Sequence, residues 1–295
     1  MSGGLTRRGA LAVGATAVAG TALAATLGRF KPAPPPVLAT RMTAVHRGDG
    51  VPLDPADGAW STVPGILVAL SPQQAAPPIL QQAALDTLAV RAAHDGRELV
   101  FHLTWDDADL DDLDGIGRFH DAVALQLPVA AAGQPPPITM GGPGAAVHVL
   151  QWRASWQHDV DQGRAGTEAL YPHAVRDVMP DDILPPEDAA AYRPGLAVGN
   201  PLSAESRISP VDELVAEGFG SATSLAEASS RGAGVHEDGR WRVTIALPLD
   251  RGEAGAPLEP GSTWPIAFAV WLGSNGDRGG RKHFADWVQC DLESA

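Results

Sequence analysis

The chain has 295 residues, 21 basic against 35 acidic side chains, and a net charge of −14. That balance argues against a nucleic-acid binder, which needs a basic face to neutralise phosphates, and 44% hydrophobic with 19% charged residues excludes disorder of the whole chain. One cysteine excludes an internal disulfide framework, a Cys-rich zinc or iron–sulfur centre and a C-x-x-C-H attachment motif.

The first element is an address. Arg7-Arg8 precedes a mildly apolar run from Ala10 to Leu27, and no acidic residue occurs before Asp49. This pattern resembles a twin-arginine (Tat) export signal; an ordinary membrane anchor is the competing reading, since about 18 apolar residues just reach across a bilayer. Pro32-Ala-Pro-Pro-Pro36 follows as a stiff, extended spacer. Residues 1–36 are therefore expected to be signal or anchor plus spacer, and residues 37–295 the main domain. That domain is expected outside the cytoplasm, in the periplasm or on the outer face of the membrane.

Along the main domain, strand signals dominate. Leu99, Phe101, Leu103 and Trp105 alternate with smaller or polar residues, and so do Val123, Leu125 and Leu127. The same period of two runs through 147–152, 241–247 and 264–270. Asp95-Gly96 and Asp238-Gly239 sit between such runs and read as hairpin turns. From about 159 to 230 the pattern fails. That stretch is rich in Pro, Gly, Asp and Ala, with short helical pieces expected at Pro186–Tyr192 and Pro210–Glu217. The expected fold is mainly β, an antiparallel β-sandwich with a long irregular, partly helical insertion. A loop of that length usually covers a site or meets a partner.

Candidate chemistry is sparse. Asp106 to Asp114 crowd one loop with six aspartates, but the Gly and Glu of a calcium-binding EF-hand are missing, so a solvated acidic loop is the better reading. Eight tryptophans suit core packing, with sugar stacking as the alternative. There is no G-x-S-x-G and no H-E-x-x-H. His283 and Asp286 are near each other without a nucleophile, and His148 and His158 are candidate metal ligands only in isolation.

Two loop segments remain. Of the 21 basic residues, only Lys31 and Lys282 are lysines. An amine can shed its proton and offer a lone pair, whereas a guanidinium cannot; chance is the competing reading of so skewed a count. Lys282 lies in Gly276-Asp-Arg278-Gly-Gly-Arg281-Lys282, and Met140, a soft thioether, lies in Pro135-Pro-Pro-Ile-Thr-Met140-Gly-Gly-Pro-Gly. Packing under the loop is the simpler reading of Met140 from the sequence alone.

These segments carry a resemblance. Asp57-Gly-Ala-Trp60, Phe119 to Pro128, Met140-Gly with Val147 to Arg153, Val198-Gly-Asn-Pro201, Ser209 to Gly220, and Gly276 to Lys282 with Trp287 occur in an order that resembles the haem b-binding γ subunit of ethylbenzene dehydrogenase. Related enzymes of the DMSO reductase family act on dimethylsulfide, selenate and chlorate. The resemblance spans nearly all of the main domain. It implies a noncovalent haem b in a β-sandwich, with Met140 and Lys282 as axial iron ligands and Arg278 and Arg281 as partners of the haem propionates. His148 in place of Met140 is the alternative ligand. It further implies an electron-transfer subunit with no catalytic centre of its own. Its partners would be a molybdopterin catalytic subunit, an iron–sulfur subunit and a soluble or membrane electron carrier. A carbohydrate-binding sandwich module without haem is the second reading.

Overall fold

The computed structural model describes residues 32–130, 134–175, 183–185 and 192–295. The signal reading of residues 1–36 therefore falls almost wholly outside the described residues, as does most of the expected helix at 186–192. Among the described residues no helix is long and apolar enough to cross a membrane.

The chain order is β1 (Val37–Leu38), β2 (Arg41–His46), β3 (Gly65–Ala69), β4 (Ser71–Pro72), β5 (Thr87–His94), β6 (Glu98–Asp106), β7 (Ala122–Pro128) and β8 (Val147–Arg153). Helix α1 (Ala154–Gln162) follows. Then come β9 (Val211–Ala216), β10 (Thr223–Ser224), β11 (Arg231–Glu237), β12 (Arg240–Pro248), β13 (Thr263–Trp271), β14 (His283–Phe284) and β15 (Val288–Leu292). One sheet runs β15-β2-β5-β6-β12-β11, with β3 beside β5; the other runs β10-β9-β8-β7-β13-β14. Strand β13 serves both: Thr263–Ile266 pair with β15, and Ala267–Trp271 pair with β7.

The expected sandwich is borne out by where the core lies. Phe101, Leu103, Val243 and Ile245 of the first sheet share one buried cluster with Leu125, Leu127, Leu150, Trp152 and Phe268 of the second. Phe101 meets Phe268 edge-on at 6.1 Å, and Trp152 meets Trp241 at 4.9 Å, geometries that suit aromatic quadrupoles. Most pairings are antiparallel. Strand β2, however, threads between β15 and β5 in parallel with both, and β1 pairs β3 in parallel. Both expected hairpins are present, β5–β6 and β11–β12. Asp238 and Gly239 both take positive φ, 52° and 68°, as a tight two-residue hairpin turn requires.

One expectation is corrected. Pro210–Glu217 holds strand β9, paired along β8, and no helix. Val211, Leu214 and Val215 carry a helical spacing, but both faces of β9 are largely covered, so strict alternation disappears.

Outside the core, each sheet carries small residues. On the first sheet Ala93, Val100 and Ala246 are covered by Trp60 and Val63, brought there by a 3-10 turn at Gly58–Thr62 that Asp57 caps by accepting from the Ala59 amide. On the second sheet Ala122, Ala124 and Ala269 lie among Val147, Val149 and Trp271.

Candidate functional site

The outer face of the second sheet forms the floor of a cavity of about 730 Å³, within the size range of cofactor pockets (about 300–1,000 Å³). Alternation produces this floor. Leu125, Phe268 and Leu150 turn inward to the core, so Ala124, Ala267, Ala269 and Val149 turn outward into the cavity. Alanine keeps the floor low and apolar.

Two loops rise over the floor. The β7–β8 loop carries Met140 into the cavity, and the β13–β14 loop carries Lys282. Met140 has φ 66°, a left-handed conformation that is strained for a residue with a side chain. Its surroundings hold it there. The Met140 carbonyl accepts from the Gly218 amide at 2.7 Å, and the Gly141 amide donates to the Pro137 carbonyl at 2.9 Å. A Cβ on Gly141 would stand 2.5 Å from the Ala145 carbonyl oxygen, so glycine is required next to Met140. Backbone strain of this kind collects at functional positions.

Lys282 and Phe284 alternate into the cavity while His283 is fully buried on the other side. The Lys282 ammonium lies 5.0 Å from the centre of the Trp271 ring, and no carboxylate pairs with it among the described residues. Burial pushes its pKa down to about 8, because removing the amine from water disfavours its charged form.

Of the sequence-derived residues, Met140, Lys282 and Arg278 line this one cavity. Arg278 is exposed at the rim, its guanidinium 4.6 Å from the Phe119 ring centre. Arg281 does not line the cavity; it approaches Asp277 at 3.4 Å and donates to the Asn275 carbonyl. His148 is also outside it. Its Nε2 lies 2.9 Å from Glu213 Oε1, both side chains buried on the core face. Glu213 accepts from the Ser229 and Ser230 amides as well. Its pKa falls to about 2, since these hydrogen bonds outweigh burial.

The remaining candidates resolve plainly. Among the described residues no group of His, Cys, Asp or Glu is arranged to hold a metal ion. In the acidic loop, burial and then the Asp121 charge push the Asp107 carboxyl up to about 7. Seven tryptophans are buried, and Trp287 is half-buried with its indole donating to the Pro136 carbonyl. No tryptophan is exposed as a platform for a sugar.

The cavity also gathers residues without a sequence signal. His120 Nδ1 lies 2.5 Å from Asp114 Oδ1, and Arg153 donates to Asp212 at 2.5 Å. The alanine floor was equally silent, although the runs Ala122-Val-Ala124 and Ala267-Phe-Ala269 could have marked it as an apolar outer face. Phe219 and Leu214, from the C-terminal part of the expected insertion, close one side.

Fold and site together define a β-sandwich protein with an apolar, cofactor-sized cavity. The cavity presents a thioether and an uncompensated amine. The family model described as ethylbenzene dehydrogenase matches residues 57–181. A putative respiratory nitrate reductase heme subunit of Haloferax mediterranei is 25% identical over 238 residues, covering 80% of this chain and 67% of that protein. The chlorate reductase subunit gamma of Ideonella dechloratans is 26% identical over 255 residues, covering 84% and 82%. The resemblance read from the sequence is borne out: this chain is similar to the ethylbenzene dehydrogenase family model and to two proteins named as a heme subunit and a gamma subunit of reductases. Among solved structures, a family 9 carbohydrate binding module from Caldicellulosiruptor kristjanssonii aligns at TM-score 0.39 and 8% identity, covering 86% of this chain and 94% of that one. At that score it decides nothing.

Proposed function

We propose that this protein is the haem-carrying electron-transfer subunit of a reductase complex, holding one haem b noncovalently between Met140 and Lys282. The observation that carries the reading is a single cavity in which a strained Met140 and the only lysine of the main domain rise over a floor of alanines. Held there by the Met140 thioether and the Lys282 amine, a haem would supply one-electron Fe(III)/Fe(II) chemistry.

The chain's own residues account for the rest. The apolar floor would keep water away from the bound ring. Burial of Lys282 lowers the cost of presenting it as a neutral amine, the form in which it can ligate. As a ligand, the Met140 thioether would favour the ferrous state and so raise the potential. Arg278, at the rim, is placed to meet a propionate carboxylate. We assign Arg281 to supporting the loop, because it turns to Asp277 and does not itself line the cavity. The subunit works beside a catalytic partner. We take the partners to be a molybdopterin subunit and an iron–sulfur subunit, with a soluble or membrane carrier. The site of action is the periplasm or outer membrane face, reached through the Tat-type segment.

The test is an absorption spectrum of the purified protein, oxidised and dithionite-reduced, with a pyridine haemochrome assay. A Soret band, sharp reduced α and β bands and extractable haem b are expected. Lys282→Ala and Lys282→Arg should both lose the low-spin spectrum with the fold retained, because the guanidinium keeps charge and loses the lone pair. A colourless protein after expression with added haem would overturn the reading.

A further inference from the structure

Lys282 sits at the end of a loop that is closed on itself by two buried side chains. Asp277 and His283 flank the segment 278–282, and both are essentially inaccessible, at 1% and 0% exposure. His283 Nε2 accepts from two consecutive backbone amides, Ala84 at 3.0 Å and Leu85 at 3.3 Å. A ring nitrogen that accepts twice carries no hydrogen, so the hydrogen of the neutral ring is on Nδ1. Nδ1 lies 3.3 Å from Asp277 Oδ2. This approach is close but not aligned as a good hydrogen bond, and Nδ1 has no other partner.

Asp277 is in turn fixed by the Leu272 amide at 3.2 Å on Oδ2 and by the Asn275 side chain at 3.0 Å on Oδ1. Further bonds stiffen the loop between them. Trp271 donates to the Gly279 carbonyl, the Gln73 side chain donates to the Gly280 carbonyl, and the Gln73 amide donates to the Lys282 carbonyl at 2.9 Å.

Strand periodicity gives this arrangement its consequence. From Lys282 into β14 successive side chains alternate, so the register that sends His283 to Asp277 is the register that sends Lys282 and Phe284 into the cavity. A slip of one residue would exchange them. We infer that His283 and Asp277 form a positioning pair that locks the β13–β14 loop so that the Lys282 amine is delivered to the cofactor. The inference rests on the proposed haem function and adds two residues to it. Outer partners of this kind orient a ligand without touching the metal, and removing them typically costs about 10–100-fold in affinity.

The experiment compares wild type, His283→Leu, His283→Gln, Asp277→Asn and Lys282→Ala, each reconstituted with haem. Three readouts are taken: circular dichroism of the cofactor-free protein, haem affinity from Soret titration, and carbon monoxide binding to the dithionite-reduced form. Wild type should be six-coordinate and inert to carbon monoxide, and Lys282→Ala reactive. His283→Leu should fold, lose about 10–100-fold in haem affinity and become reactive to carbon monoxide, because the lysine bond is no longer held. His283→Gln should stay inert, since its amide oxygen can accept from Ala84 and Leu85 while its amide nitrogen faces Asp277. If His283→Leu fails to fold, Asp277→Asn decides by the same readouts.

A folded variant, His283→Leu or Asp277→Asn, that keeps wild-type affinity and inertness would overturn the positioning role. The functional reading fails separately, on a wild type that takes up no haem, and that failure overturns the positioning pair with it.

Discussion

The two outer faces of the sandwich are alike in composition and opposite in fate. The first sheet presents Ala93, Val100 and Ala246, and the chain covers them itself with Trp60 and Val63. The Trp60 indole even stacks on the His102 ring, centres 5.0 Å apart. The second sheet presents Ala122, Ala124 and Ala269 beside Val149. Over Ala124 and Ala269 the chain leaves a cavity, into which Met140 and Lys282 point. Small residues on an outer face thus make a shallow bed for something flat. On one side an indole from the same chain lies in it. On the other, the two side chains over the bed carry a soft sulfur and an amine, the groups assigned above to the proposed haem.

The largest effect is expected from removing the indole. Trp60→Ala should destabilise the domain by about 3–5 kcal/mol, the usual cost of deleting a buried aromatic. The measurement is the chemical denaturation midpoint of the cofactor-free protein. If haem is then bound with unchanged affinity by the folded fraction, the two faces are independent, as the geometry implies. A loss below about 0.5 kcal/mol, the level of surface substitutions, would mean that Trp60 covers the sheet without holding it.

A somewhat smaller effect lies in the pH dependence of the covered face. His102 is held down to about 4 from the usual 6.5, first by burial, against the hydrogen bond of its Nε2 to the Pro55 carbonyl. The folded ring takes a proton less readily than the unfolded one. Its contribution is therefore whole above pH 6.5 and is lost as pH falls toward 4, by about 3 kcal/mol at most. Asp107 works in the opposite sense over much of this range, because its folded pKa is raised to about 7. It gains as pH falls. The comparison of wild type with His102→Gln cancels that term, and the difference in stability should shrink between pH 7 and pH 4. A difference that stays constant would remove His102 from the account.

Where the structure follows the sequence, it does so through periodicity. Leu99 to Trp105, Val123 to Leu127 and Trp241 to Leu247 alternate visibly because one face is core and the other holds smaller or polar groups. Strand β9 escaped because both its faces are covered, which leaves Val211, Leu214 and Val215 with a misleading helical spacing. Met140 and Lys282 were legible through residue type and loop context, and the resemblance to a known family joined them. Their meeting in one cavity depends on loops folding over a sheet, which no local pattern encodes. Arg281 illustrates the limit: it is beside Lys282 in sequence, yet its side chain serves Asp277. Asp277 and His283 were invisible as a pair because their relation is one of burial and register.

The second bed can be filled as the first is filled. Ala269 lies on the cavity floor and opposes Ala124 on β7 and Phe284 on β14. Ala269→Phe would place a ring over the alanines, where the cavity has room for it. Overpacking a filled core costs about 1–3 kcal/mol; here the added ring enters open space, so the change in stability should stay within about 1 kcal/mol. Haem uptake should be lost, read as absence of the Soret band on titration. Stability kept and cofactor excluded would show that the second face is a seat and not a core. A variant that still takes up haem with wild-type affinity would place the cofactor elsewhere on the molecule and dissolve the parallel between the two faces.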